Sequence, residues 1–558
     1  MLRKSILPFL ATLFPLTLAQ AGETLLLKNG NIYTGNERQP KAEAVFVRDG
    51  RIVSVGSNVD VAKQAPADAR VIDLKGRTVL PGLTDAHAHL AGIGFRELNF
   101  NLEGTPSLAD LQSRLRERAK TIEPGRWVVG RGWIESKWTP PAFPTAAELD
   151  AAAPDHPVNL TRADGHAIVV NSRALKLAGI DRTTPNPSGG EIVRDARTGE
   201  ATGMLVDSAK RLVESLIPPP GPGDIARALE VGAARELSLG WTQVHVAGNG
   251  PVELAVLRRL VAEGKIKLRI YDAVSGPGPA ADALLASGAQ REGDGSHFTA
   301  RTIKLYVDGA LGSRGAALLE PYADATGSGL LVATEEELMP ILTAALRKGI
   351  QIETHAIGDR GNRFILDLYE KAFATVPAAE RAVREPRWRI EHAQVLSAAD
   401  LPRFAKLGVI ASMQPSHSIS DLYFAPSRLV STRLAGAYAW RSLLDSGATV
   451  VGGSDAPVER GEPLIEFYAA VARRSLEGFS DANWHREQRV TRAEALRMFT
   501  LGAAFAAFQE LERGTIEPGK VADFTVFSAD VMQIPEPEIL RARCELTIVG
   551  GEIVFEAQ

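Results

Sequence analysis

Val79-Leu80-Pro81-Gly82-Leu83-Thr84-Asp85-Ala86-His87-Ala88-His89 is a short apolar run that ends in two histidines one residue apart. Residues i and i+2 of a strand face the same way, so both imidazoles project to one side of whatever sheet the run joins. Paired neutral imidazoles suit zinc or a similar transition metal. Alone, the pair is a weak signal.

Moving outward, the same pattern of an apolar run closed by a metal-competent side chain recurs. His355 ends Gln351-Ile352-Glu353-Thr354-His355, His392 ends Trp388-Arg389-Ile390-Glu391-His392, and Asp455 follows Val450-Val451-Gly452-Gly453-Ser454. Eight candidate strands alternate with helical segments: 78–89, 241–246, 266–274, 302–307, 350–355, 388–392, 409–414 and 449–454. Amphipathic stretches at 335–347 and 434–446 lie between them. Eight β/α units predict an α/β fold, a (β/α)8 TIM-like barrel whose reactive groups collect at the carboxyl ends of the strands. Four histidines and an aspartate at equivalent strand ends are poorly explained as isolated core residues, and they point to a metal site.

The spacing of the strands is uneven. About 150 residues separate the first two, too many for one crossover helix. That stretch carries Trp127, Trp133 and Trp138 and ends in Pro218-Pro219-Pro220-Gly221-Pro222-Gly223. It reads as a cap over 100–223, inserted between the first and second strands and closed by a stiff proline linker. Both chain ends read as antiparallel strands with turn signals such as Asp49-Gly50. They predict one small β-sandwich, built from 22–78 and 512–558, around a barrel over 79–511.

Residues 1–21 are set apart from the fold. Arg3 and Lys4 precede an apolar run over 6–18, and Ala19-Gln20-Ala21 supplies the small-x-small pattern of a signal-peptidase site. An exported protein, periplasmic or secreted, is therefore expected, with no membrane contact after cleavage. The remaining chain of ordinary composition, 45% hydrophobic and 23% charged, suits a soluble globular protein of two or three units. A net charge of −4 and the absence of a basic block argue against nucleic acid as a partner. A small-molecule substrate is expected, and a homo-oligomer is compatible with the sequence. The single cysteine, Cys544, excludes an internal disulfide and reads as a small hydrophobe in a strand.

At this point a resemblance becomes plain. The chain resembles the amidohydrolase superfamily, in its family 3 branch, similar to N-substituted formamide deformylase. The residues that carry it are 81–89 as quoted above and Ile303-Lys304-Leu305-Tyr306-Val307-Asp308-Gly309-Ala310-Leu311-Gly312-Ser313-Arg314. With them go Glu353-Thr354-His355-Ala356-Ile357-Gly358-Asp359, Ile390-Glu391-His392-Ala393-Gln394 and Gly453-Ser454-Asp455-Ala456-Pro457. Ala163-Asp164-Gly165-His166 and Asn171-Ser172 in the insertion match too, as does Gly514-Thr515-Ile516-Glu517-Pro518-Gly519-Lys520-Val521-Ala522-Asp523.

The resemblance implies one or two divalent ions, zinc by expectation. His87, His89 and Asp455 would hold one ion and His355 and His392 the other. Lys304, carboxylated on its amine, would bridge them. Asp455 would carry the proton from the attacking water to the leaving nitrogen in hydrolysis of an amide-like, non-peptide C–N bond. A lactone, ester or cyclic amide is the alternative substrate on the same centre. A non-catalytic exported binding protein is the alternative of a different class.

Other residues are weighed against bland roles. His166 either contacts substrate at the mouth or folds the cap. His417, in Met413-Gln414-Pro415-Ser416-His417, either orients substrate or a ligand or is structural. Asp308 and Arg314 either bind a polar substrate group or stabilise their loop. Trp133 and Trp138 either wall the pocket or form the cap's own core. Glu353 faces the same way as His355, whereas strand alternation places Glu391 on the other face, paired with Arg389 or a helix. His245 is expected in the core, and His156, His297 and His485 on the surface.

Overall fold

The computed structural model describes residues 24–558, apart from 103, 134, 136–137, 163–166, 188–189, 292–296, 313 and 482–483. The export signal expected at 1–21 and His166 lie outside the described residues.

Eight parallel strands form the centre: β1 (Leu83–Ala88), β2 (Trp241–Asn249), β3 (Arg269–Ser275), β4 (Phe298–Tyr306), β5 (Gln351–Ala356), β6 (Arg389–His392), β7 (Ile410–Met413) and β8 (Val450–Gly452). Each is hydrogen-bonded to the next in chain order, with a short antiparallel strand (Gln290–Arg291) added beside β4. The strands are rich in Val and Ile and are buried, as expected of strands covered by helices outside and side chains inside. The seam between β8 and β1 is bridged just past the last strand. Ser454 N–H donates to Asp85 Oδ1 (2.9 Å), Asp455 N–H to His87 O (2.7 Å) and His89 N–H to Ala456 O (2.8 Å). These bonds draw the two ends of the sheet into a nearly closed barrel, and they set Asp455 directly beside the two histidines of the first strand.

The run read as one strand over 78–89 is two. Thr78–Pro81 pairs antiparallel with Phe524–Phe527 and parallel with Asn31–Tyr33, and only Leu83–Ala88 enters the barrel. Pro81 has no N–H with which to continue a ladder. At Gly82 a Cβ would fall 2.4 Å from Thr242 Oγ1 and 2.7 Å from Asp523 Cβ, so the chain changes sheets where only glycine fits. The helix expected over 335–347 runs Glu335–Lys348, from a Thr334–Glu337 capping box to a left-handed Gly349. The segment 434–446 is not one helix: Ser431–Leu434 and Trp440–Asp445 are separated by Tyr438 at φ 52°.

Strands of the first chain end form a sheet of four, and strands from both ends form a further sheet of six. Leu27, Val45 and Val47 from the first end and Phe524, Val526 and Ile548 from the second share one buried cluster. Asp49 (φ 53°) and Gly50 (φ 71°) make the hairpin turn between Ala44–Arg48 and Arg51–Gly56.

The insertion between β1 and β2 carries its own six-stranded sheet. Trp133 and Trp138 belong to its core, with their indole N–H groups donating to Leu160 O (2.9 Å) and Thr105 O (2.8 Å). His156 is buried as well, with Nδ1 3.0 Å from Arg126 O, contrary to its expected surface position. The proline run is only partly a linker, because Pro222 is the first residue of an 18-residue helix, Pro222–Leu239.

Candidate metal centre

The carboxyl ends of β1, β4, β5 and β6, with the residues just after β1, β7 and β8, bring one set of side chains together. His87, His392 and Asp455, all buried, offer ligand atoms that lie within 4.8 Å of one another. Asp455 Oδ1 lies 3.5 Å from His87 Nε2 and 3.2 Å from His89 Nε2, and its Oδ2 lies 3.6 Å from His417 Nε2. The His355 ring stands 4.5 Å, centre to centre, from that of His392. Lys304 is buried at the end of β4 with Nζ 3.3 Å from His87 Nε2. The trio that meets most tightly therefore draws on both of the ligand groups expected from sequence.

Two of the histidines have one ring nitrogen already committed. His87 Nδ1 lies 2.5 Å from Glu391 Oε2, and His392 Nδ1 lies 2.8 Å from Gln414 Oε1. An acceptor on Nδ1 fixes the tautomer with its lone pair on Nε2 and makes that nitrogen a better ligand. The Nε2 atoms of His355 and His417 are buried and have no hydrogen-bond partner. Buried polar nitrogens are costly to leave unpaired. Converging imidazole nitrogens around a carboxylate make a donor set that fits a divalent transition metal.

Electrostatics agree with that fit. Burial, followed by Lys304, pushes His355 down to about 3, and burial with His355 alongside holds His392 well below the ordinary imidazole value. Both are neutral at pH 7, the form a metal requires. Asp455 stays well below the usual carboxylate range despite its burial, because the ring nitrogens of His87 and His89 stand against its Oδ1. Burial and Lys304 work against a charge on His87, yet Glu391 and Asp455 raise it to about 9. A metal must displace that proton.

Glu391 corrects the expectation from strand alternation. It faces His87, not a helix, and is fully buried. Alternation fails because β6 ends in left-handed backbone, with His392 at φ 74° and Ala393 at φ 41°. That turn lets consecutive residues both meet the β1 histidine. Gln414 was also missed. A polar residue directly after β7 was the available signal for it.

The remaining candidates separate cleanly. Glu353 lies below the site, 4.0 Å from Arg389, and burial together with Glu391 raises it to about 7. His245 is a core residue that accepts from Arg389 Nη1 at 2.9 Å. Asp308 accepts from the backbone N–H groups of Ala317, Ile357 and Gly358, and Arg314 pairs with Asp324, so both brace the loop after β4. His297 and His485 are half-buried.

A family model described as "Amidohydrolase family" matches residues 70–555. The Bacillus subtilis (strain 168) protein YtcJ is 33% identical over 94% of this chain and 98% of its own. The N-substituted formamide deformylase of Arthrobacter pascens is 30% identical over 95% and 98%. The crystal structure of an uncharacterized metal-dependent hydrolase from Pyrococcus horikoshii OT3 superposes with a TM-score of 0.76 at 27% identity, over 92% of this chain and 99% of that one. The family model covers the insertion and every strand end that contributes to the centre, and on that ground this chain belongs to the amidohydrolase family, as a metal-dependent hydrolase.

Proposed function

We propose that the protein hydrolyses an amide-like, non-peptide C–N bond in a small molecule, in an extracytoplasmic compartment. The observation that carries the reading is Asp455, a buried carboxylate kept anionic among three imidazoles at the barrel mouth. His87, His89, Lys304, His355, His392 and Asp455 would hold one or two divalent ions, zinc by chemistry, with Lys304 carboxylated on Nζ where two are bound. When bound, such an ion supplies Lewis acidity and a water that ionises near pH 7.

The chain's own groups do the rest. Asp455, with its low proton affinity, accepts the proton of the attacking water transiently and returns it to the departing nitrogen, giving a carboxylate and an amine. His417 Nε2 faces that carboxylate from 3.6 Å, beyond hydrogen-bond length, and is open to a group of the substrate. Glu391 and Gln414 hold His87 and His392 in one tautomer through the cycle. Amide over ester is favoured by the resemblance to N-substituted formamide deformylase along nearly the whole chain. Export rests on the basic, apolar and small-x-small pattern of residues 1–21. Among the described residues no helix is long and apolar enough to cross a membrane.

The test is a substrate panel on purified mature protein with its metal content measured: formamides, N-acyl amino acids, cyclic amides and lactones. Turnover of linear amides is expected. Turnover of lactones or esters alone would reassign the reaction.

A further inference from the structure

Tyr306 is the last residue of β4, two positions after Lys304 and on the same face of the strand. It is paired in register with His355. Its ring stands 5.4 Å, centre to centre, from the His355 imidazole, and Lys304 Nζ lies 5.0 Å from the ring centre. The neighbouring polar groups are buried, yet Tyr306 remains 42% exposed. Large aromatic side chains contribute most when their faces are covered, and this ring stands partly open beside a candidate metal ligand.

Lys304 Nζ stands over one face of the ring, and the rest of the side chain stays open. Gly248 (φ 93°) lies next to it, and a Cβ built on that residue would stand 3.5 Å from the Tyr306 hydroxyl and 3.6 Å from Lys304 Cγ. The loop after β4 returns to the end of that strand and carries exposed apolar side chains. Val332 N–H donates to Val307 O at 2.9 Å, and Leu330 and Val332 are 72% and 61% exposed. Asp324 neutralises the nearby cations Arg314 and Arg428, so neither is left to recognise an anionic group.

Resting on the metal-dependent hydrolase reading above, we propose that Tyr306 is a specificity-determining residue. It stacks a planar apolar substituent, an aromatic ring or a conjugated acyl group, next to the bond that is broken. The ring faces of substrate and tyrosine meet in an offset or tilted arrangement.

The test uses two metal-chelating probes of the same head group, benzohydroxamate and acetohydroxamate, titrated calorimetrically into the metal-loaded full-length mature protein. Benzohydroxamate is expected to bind at least about tenfold more tightly, Tyr306→Ala to reduce that preference to near unity, and Tyr306→Phe to retain it, with metal content equal in all three. An unchanged preference in Tyr306→Ala, or none in the wild type, would overturn the role of Tyr306 while leaving the metal centre standing. If neither probe binds the metal-loaded wild type better than the metal-stripped protein, the parent reading fails and this one with it.

Discussion

Asp455 sits between three imidazoles and is the residue whose chemistry changes most with a single atom. Asp455→Asn keeps an oxygen toward the centre and tolerates the left-handed backbone found there (φ 58°), since asparagine is among the few residues at ease in it. It removes the proton acceptor. Turnover is expected to fall by about 10²–10⁴-fold, the usual worth of a positioned acid–base group, with substrate binding largely kept. Steady-state kinetics check this, and an unchanged kcat would remove Asp455 from the mechanism. Glu391 is the second decisive residue. Proton and metal compete for His87, which stands at about 9 without metal. The group's folded value is raised, so the competing proton is present below that pH and leaves above it. Metal affinity is therefore expected to rise by up to about tenfold per pH unit toward pH 9. In Glu391→Gln the slope flattens, and affinity near pH 9 drops about 10–100-fold. Competition titration with a chelator at several pH values measures both, and a pH-independent affinity would contradict the account. The clustered histidines and Asp455 were legible as metal-competent side chains because each closes an apolar run. Glu391 was not, because period-two reasoning assumes extended backbone and β6 leaves it at His392.

Among the elements, placement of the site depends on how β1 leaves the terminal sheet and how its helix packs. Pro81-Gly82 looked like the interior of a strand because its flanks are apolar on both sides, and no periodicity marks a change of sheet within such a run. The helix Leu90–Leu98, directly after His89, packs on Pro222–Leu239 through glycine. A Cβ on Gly94 would lie 1.7 Å from Ala228 O, and one on Gly232 would lie 2.4 Å from Leu90 O. These are backbone atoms that no rotamer change can move aside. Gly94→Ala is expected to separate the helices and cost at least about 1–3 kcal/mol by overpacking. Because His89 caps the moved helix, metal affinity should fall as well. Thermal unfolding and metal titration of the variant test this. Native stability would show that the packing is looser than described.

Across the whole molecule, the terminal sheets are joined to the floor of the barrel by a buried ion cluster. Arg269 at the start of β3 donates to Asp523 from both Nε (2.8 Å) and Nη2 (2.9 Å), and Arg513 Nη1 lies 3.7 Å away. Burial opposes the charge on Asp523, but Arg269 and Arg513 hold its carboxyl below the ordinary value. A depressed folded value gives stability that is present above the unfolded carboxylate range, about pH 4, and lost as pH falls through the folded value. Asp523→Ala strands two buried guanidinium groups and is expected to cost about 3–5 kcal/mol at pH 7. The deficit against wild type should shrink in acid. Chemical denaturation at the two pH values checks the sign, and an equal deficit at both would contradict it. The barrel strands were readable at this scale from short, mostly apolar runs, although the first was read as one with Thr78–Pro81. The core role of Trp133 and Trp138 was not, since buried and pocket-lining tryptophans look alike in sequence.

The central claim is that His87, His392 and Asp455, brought together from opposite ends of the barrel sheet, hold a catalytic divalent ion. The most direct test is metal stoichiometry by elemental analysis, with amide turnover, on folded His392→Ala beside the wild type. The account predicts bound metal and turnover in the wild type and loss of both in the variant. A folded His392→Ala protein with full metal content and full activity would contradict it.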